Sequence, residues 1–182
     1  AAMSSPAPLP IEIDRSAQRG ELQKVVKWLR KGGLADALCA SQTAEGRPIT
    51  TTLLHIAAAN GHLEMVRVLL KRGARVDLPS RLGHTALMDA AYHGNLSILL
   101  LLLQYSANID LQNVDGVTAL MAAAGSGHEA CVKALLRAKA NTELLDIKYG
   151  DTALQWAESN GHTAIAHLIR RHNAPPQPAD PP

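Results

Sequence analysis

The sequence predicts an all-α solenoid: five stacked helix-turn-helix units joined by short β-turn or hairpin links. Three observations predict it. Thr52-Leu-Leu-His55, Thr85-Ala-Leu-Met88, Thr118-Ala-Leu-Met121 and Thr152-Ala-Leu-Gln155 recur at intervals of 33, 33 and 34 residues. Nine residues after each threonine stands a glycine, Gly61, Gly94, Gly127 or Gly161, followed by His62, Asn95, His128 or His162. Finally, apolar residues make up 47% of the chain while Phe is absent and aromatics total 3%, so the core is built of Ala, Leu, Val and Ile. Small side chains of this kind suit closely spaced helices better than a β-sandwich. A fixed period of this length decides the architecture, because each unit must stack on its neighbours to bury its apolar face.

Unit one, residues 11–33, ends its first helix at Gly20 and runs on from Glu21 to Arg30 before Gly32-Gly33. The spacing then widens: Gly20 to Gly61 spans 41 residues, which places an inserted loop at 34–51 that bears Ser, Thr, Gly and Pro. Unit two covers 52–82. Thr52 suits a helix N-cap, Leu54, Ala57 and Ala58 follow at helical spacing, and Gly61 breaks the helix. Met65, Val66, Leu69 and Leu70 form the apolar stripe of a second helix, Gly73 is placed to end it in the left-handed conformation, and Leu78 to Gly83 links onward. Units three to five, 83–115, 116–149 and 150–173, repeat this plan. At the position of Gly73, units three and four carry Ser106 and Lys139. A non-glycine residue at positive φ costs about 1 kcal/mol, so these two units are expected to end differently.

The pattern resembles the ankyrin repeat, whose signature includes T-P-L-H, A-A, G-H, a Leu pair and G-A at a 33-residue period. The resemblance covers roughly Ile11 to Asn173. It departs at the Pro after the leading Thr, replaced by Leu53, Ala86, Ala119 and Ala153. The ends look complete: Lys24 stands where unit two has Met65, and Arg170 replaces the second Leu of the pair in unit five. Terminal units need polar outer faces because nothing stacks on them. Residues 1–10 are expected to be flexible, with Met3 as the native start, and 174–182 form a Pro-rich disordered tail.

Composition narrows the function. A net charge of +2 points neither to nucleic acid nor to a membrane surface, and the longest apolar run, Ile98 to Leu103, is far too short to span a bilayer. Residues 1–10 lack the charged start and apolar stretch of a signal peptide. Cys39 and Cys131 form no C-x-x-C pair, which favours a reducing compartment inside the cell, cytoplasm or nucleus. Of the eight histidines, the resemblance gives His55, His62, His128 and His162 a structural role, bonding backbone between units; His84, His93, His167 and His172 are read as surface residues. No His, Cys, Asp or Glu cluster has metal-ligand spacing. Ser126 lacks the preceding strand of a nucleophile elbow, and no glycine-rich phosphate loop stands between strand and helix. Basic residues such as Lys71, Arg72, Arg137 and Arg171 gather at helix C-termini, where they complement the dipole. The reading is therefore no catalytic residues, no cofactor and no metal.

What remains is binding. The resemblance implies that turn tips and first helices form a concave surface used for partner proteins. Its register places Arg15, Gln18, Arg19, Ile56, Ala59, Asn60, Leu82 and Val114 on that surface. The candidate contacts are Arg81, Asp89, Tyr92, His93, Asp115, Ala122, Gly125, Ser126, Lys148, Tyr149, Trp156 and Asn160. Tyr92, Tyr149 and Trp156 are three of the five aromatic residues, and such residues dominate binding hot spots. Small residues in unit four between them predict a notch walled by Tyr92 on one side and Trp156 with Tyr149 on the other. A secondary surface is expected at Leu100 and Leu101, a possible dimer contact in unit three. The sequence thus describes a monomeric adaptor, scaffold or inhibitor that binds another protein or an extended peptide, not nucleic acid, without membrane insertion. The alternative is a regulatory or targeting segment of a larger enzyme or complex.

Overall fold

Each threonine of the repeated stretch starts a helix. In the structure, a computed structural model that describes residues 9–42 and 48–174, Thr52, Thr85, Thr118 and Thr152 have extended backbone. Their hydroxyls accept the N–H groups of His55, Met88, Met121 and Gln155, three residues on. Such a cap satisfies one of the donors that the first turn leaves free and contributes about 1 kcal/mol.

Ten helices result among the described residues, two to a unit. They are α1 (Ile11–Gln18) and α2 (Leu22–Arg30), α3 (Leu53–Ala59) and α4 (Leu63–Lys71), α5 (Ala86–Tyr92) and α6 (Leu96–Gln104). Units four and five add α7 (Ala119–Gly125) and α8 (Glu129–Arg137), then α9 (Ala153–Ser159) and α10 (Thr163–Asn173). First helices pack on first helices and second helices on second helices, giving a two-layer stack. Fully buried alanines, Ala17, Ala57, Ala90, Ala123 and Ala157, let the first helices approach closely. Leu69, Leu99 and Leu135 fill the layer between. Lys24 in unit one and Arg170 in unit five are both exposed.

Two expectations need correction. Ser106 and Lys139 adopt φ of 62° and 65°, so units three and four end as unit two does at Gly73. The same two bonds close each turn: Ser106 N–H to Leu103 and Ala107 N–H to Leu102, Lys139 to Leu136 and Ala140 to Leu135. Each turn also buries the alanine that follows, Ala107 or Ala140, and the closed turn with its buried methyl outweighs about 1 kcal/mol of backbone strain.

The inserted stretch, in turn, is not all loop. It holds an antiparallel pair, β1 (Leu38–Gln42) and β2 (Pro48–Thr52), with Leu38 opposite Thr52 and Cys39 opposite Thr51. The β-branched run Ile49 to Thr52 favours extended backbone, and β2 leads straight into the cap of α3. Asp36 ties the insertion to unit two by accepting the N–H and Nε–H of Arg75, both at 2.9 Å. Of the segment expected to be flexible at the N-terminus, residues 1–8 lie outside the described residues. Leu9, however, is buried and its N–H donates to the Leu38 carbonyl at 2.9 Å. The predicted Pro-rich tail beyond residue 174 also lies outside the described residues.

Candidate functional site

The tips between units are rigid because side chains hold their backbone. Asn113 Oδ1 accepts the N–H groups of Asp115 at 2.9 Å and Val117 at 2.8 Å. In the next tip, buried Asp146 accepts the Tyr149 N–H at 2.7 Å and the Trp156 indole N–H at 2.7 Å. Burial alone would raise the Asp146 pKa, but these bonds, with the N–H groups of Lys148 and Gly150, hold it below the usual value. Adjacent tips also bond to one another, Val114 N–H to Leu82 O at 3.1 Å and Ile147 N–H to Asp115 O at 2.8 Å. Gly116 is needed there: its φ is +78°, and a Cβ would lie 2.8 Å from the Ile147 nitrogen. The outer edge of the tips leaves Leu82, Val114, Ile147 and Tyr149 exposed, an apolar row along the stack.

Inside this row, where units three, four and five meet, is a hollow of about 400 Å³. Met88, Val117 and Ala122 give it apolar surface, Tyr92 and Trp156 line it as aromatic groups, and Asp89 and Asp115 line it as carboxylates. Trp156 lies over Gly125, where a Cβ would come within 2.6 Å of its ring. Its ring is therefore seated by a missing side chain below and by the bond to Asp146. Asn160 adds a bond to the Trp156 carbonyl at 2.8 Å. On the other side, the Asn113 amide nitrogen is 3.0 Å from His84 Nε2, which makes that nitrogen the acceptor. His84 Nδ1 then faces Asp89 Oδ1 at 3.8 Å. The Asp89 carboxylate raises the His84 pKa, burial opposes it, and Asp115 adds to the rise.

The hollow thus gathers Asp89, Tyr92, His93, Asp115, Ala122 and Trp156 of the predicted contacts. It does not gather the rest. Gly125 and Asn160 back the Trp156 ring, and half-buried Ser126 caps α7. Arg81 is exposed on an earlier tip. Tyr149 is not a wall: it is exposed on the last tip, with the Lys148 ammonium 4.6 Å above its ring. Met88, His84, Asn113 and Val117 are the lining residues that the sequence reading missed. The secondary surface also changes. Leu101 is 6% exposed against 44% for Leu100, because Leu101 follows Ile98 by three residues and shares its buried face. Ile56, placed on the concave surface, is buried as well.

The histidines that begin the second helices reach back to the preceding unit. His62 Nε2 bonds the Gln18 carbonyl at 2.9 Å, His128 the Tyr92 carbonyl at 2.9 Å and His162 the Gly125 carbonyl at 3.1 Å. Asn95 does the same work in unit three, its amide donating to Ala58 at 2.8 Å and Ala59 at 3.1 Å. His55 bonds forward to the His84 carbonyl at 2.8 Å. Among the described residues, no group of three His, Cys, Asp or Glu side chains is placed to hold a metal ion. Nor is any of their helices long and apolar enough to cross a membrane.

The family model for ankyrin repeats, three copies long, matches residues 14–113 and 88–180. The chain belongs to the ankyrin-repeat family. A comparison with curated proteins found no match. Ankyrin repeats are generally protein-interaction modules, so the histidine bridges of this ankyrin array belong to its scaffold, and the surface they steady is the place to look for a partner.

Proposed function

We propose that this ankyrin array is a non-catalytic adaptor, scaffold or inhibitor that binds an extended segment of a partner protein across the tips and first helices of units three to five. One observation carries the reading. Tyr92, 59% exposed, and the seated ring of Trp156 share one hollow, and the exposed tip residues Leu82, Val114 and Ile147 lie beside it. Large aromatic side chains in a preformed recess are what binding hot spots use, since they bury area with few rotors to order. With Leu101 buried, Leu100 alone does not make an apolar patch, which supports a monomer over a dimer joined through unit three.

Affinity capture from a lysate of the source cell tests this, using wild-type protein beside a Tyr92→Ala variant checked for an unchanged melting temperature. A protein held by the wild type and lost from the variant is the expected result. Equal capture by both would move the interface away from the hollow.

A further inference from the structure

The hollow differs in charge from the chain that carries it. The whole chain has a formal charge of +2, yet the lining contains two carboxylates, Asp89 and Asp115, and no lysine or arginine. Its acidic side chains thus outnumber its lysines and arginines, the reverse of the balance over the whole chain. The two carboxylates come from different elements, Asp89 from α5 and Asp115 from the tip before α7, so they approach the space from two directions. Asp89 has the His84 imidazole as a neighbour at 3.8 Å, and that ring is also held by Asn113. Lys148, whose field reaches Asp115, keeps its ammonium over the Tyr149 ring outside the recess.

Aromatic faces, apolar floor and carboxylates in one recess suit a particular kind of side chain. Lysine and arginine bury an alkyl stem against apolar surface while the charged head seeks a polar partner. A cation over a Trp or Tyr face gains from the ring quadrupole, more so when water is displaced. Arginine has a further advantage, since its planar guanidinium stacks on an aromatic ring and meets a carboxylate through paired donors. The Trp156 ring is already fixed by Asp146 and Gly125, so little rotamer freedom is lost on binding.

We propose that the hollow takes a cationic side chain of the partner segment, arginine in preference to lysine, with its stem against Tyr92, Met88 and Trp156 and its head between Asp89 and Asp115. This rests on the reading that the hollow receives an extended segment, and adds what that segment must carry there.

The chain's two tryptophans allow a direct test. Nα-acetyl-arginine methylamide is titrated into ¹⁵N-labelled protein while the indole N–H signals of Trp156 and Trp28 are followed, with the lysine and citrulline analogues as comparisons. Saturable movement of the Trp156 signal by the arginine probe is expected, less by lysine and none by uncharged citrulline, with Trp28 unmoved. Asp115→Asn, at an exposed tip, is expected to weaken the arginine effect about tenfold, and Asp89→Asn similarly. Citrulline acting as well as arginine, or an undiminished arginine effect in folded Asp115→Asn protein, would overturn the proposal. The broader reading fails separately. If captured partners depend on Tyr92 but the arginine probe leaves Trp156 unmoved, only the cation site falls. If the probe binds while capture ignores Tyr92, the cation site stands and the partner reading falls.

Discussion

Two recesses of the molecule are built alike and charged oppositely. On the outward face of unit one, a groove of about 610 Å³ is lined by Arg15, Arg19, Lys24, Lys27 and Lys31 around Trp28, with Glu12 and Glu21 as its acids. In the hollow of units three to five, the aromatic pair is bordered by Asp89 and Asp115. Each recess sets a tryptophan over a glycine: a Cβ on Gly33 would come within 2.4 Å of Trp28, and one on Gly125 within 2.6 Å of Trp156. What differs is the setting. Trp28 sits on the outer face of unit one among charged side chains. Trp156 sits where three units meet, and its indole N–H is bonded to a buried carboxylate. The backbone repeats; the chemistry of each recess comes from the few side chains that do not.

Replacing the two glycines is the sharpest way to break this comparison. Gly125→Ala gains helix propensity but drives a methyl into a ring that cannot move, for a net loss of about 1–2 kcal/mol in urea unfolding. Gly33→Ala should lose less than about 1 kcal/mol, because Trp28 has no such anchor among the described residues and can swing outward. Equal losses would mean that both rings are seated alike.

A smaller effect isolates the anchor. Trp156→Phe keeps an aromatic face but removes one donor from buried Asp146, which should destabilise by roughly 1 kcal/mol at neutral pH. The sign with pH follows. Asp146 has a folded pKa below its usual value near 3.8, so its contribution is fully present above that value and is lost as pH falls through the folded pKa. The variant and wild type should therefore converge in acid, and a constant gap down to low pH would place the loss in packing instead.

The smallest expected effects concern the turns that close the second helices. Ser106→Gly and Lys139→Gly should each stabilise by about 0.5–1 kcal/mol, since glycine accepts the left-handed backbone without strain. Gly73→Ala, in the equivalent turn of unit two, should destabilise by a similar amount. Thermal midpoints of the three variants check this, and no gain at 106 or 139 would mean that the side chains there contribute more than their backbone costs.

The fold was legible because its signals are local and repeated. A threonine that caps, a glycine that breaks and a Leu pair that packs each act within a few residues, and four copies in register leave little ambiguity. The inserted β-pair was missed since Gly46 and Pro48 read as loop while the β-branched Ile49 to Thr52 lay beside them. Ser106 and Lys139 were misjudged for a different reason: local propensity says glycine, and the buried alanine that follows decides otherwise. At the site, register alone placed Tyr92, Asp115 and Trp156 on one surface. It did not find Met88 and Val117, which look like ordinary core or link residues, nor the His84–Asn113 bond, which joins residues 29 apart. Which side chains share a recess depends on how units lean together, and no single repeat encodes that.

The bonds from His62, Asn95, His128 and His162 each reach one unit back and no further. Among the described residues, these bonds tie only neighbouring units to one another. Stretched from its two termini, it should part in instalments from the outermost pairs inward, and re-form behind a relaxing load in the reverse order. The array is then less a rigid plate than a short spring, held together one neighbour at a time.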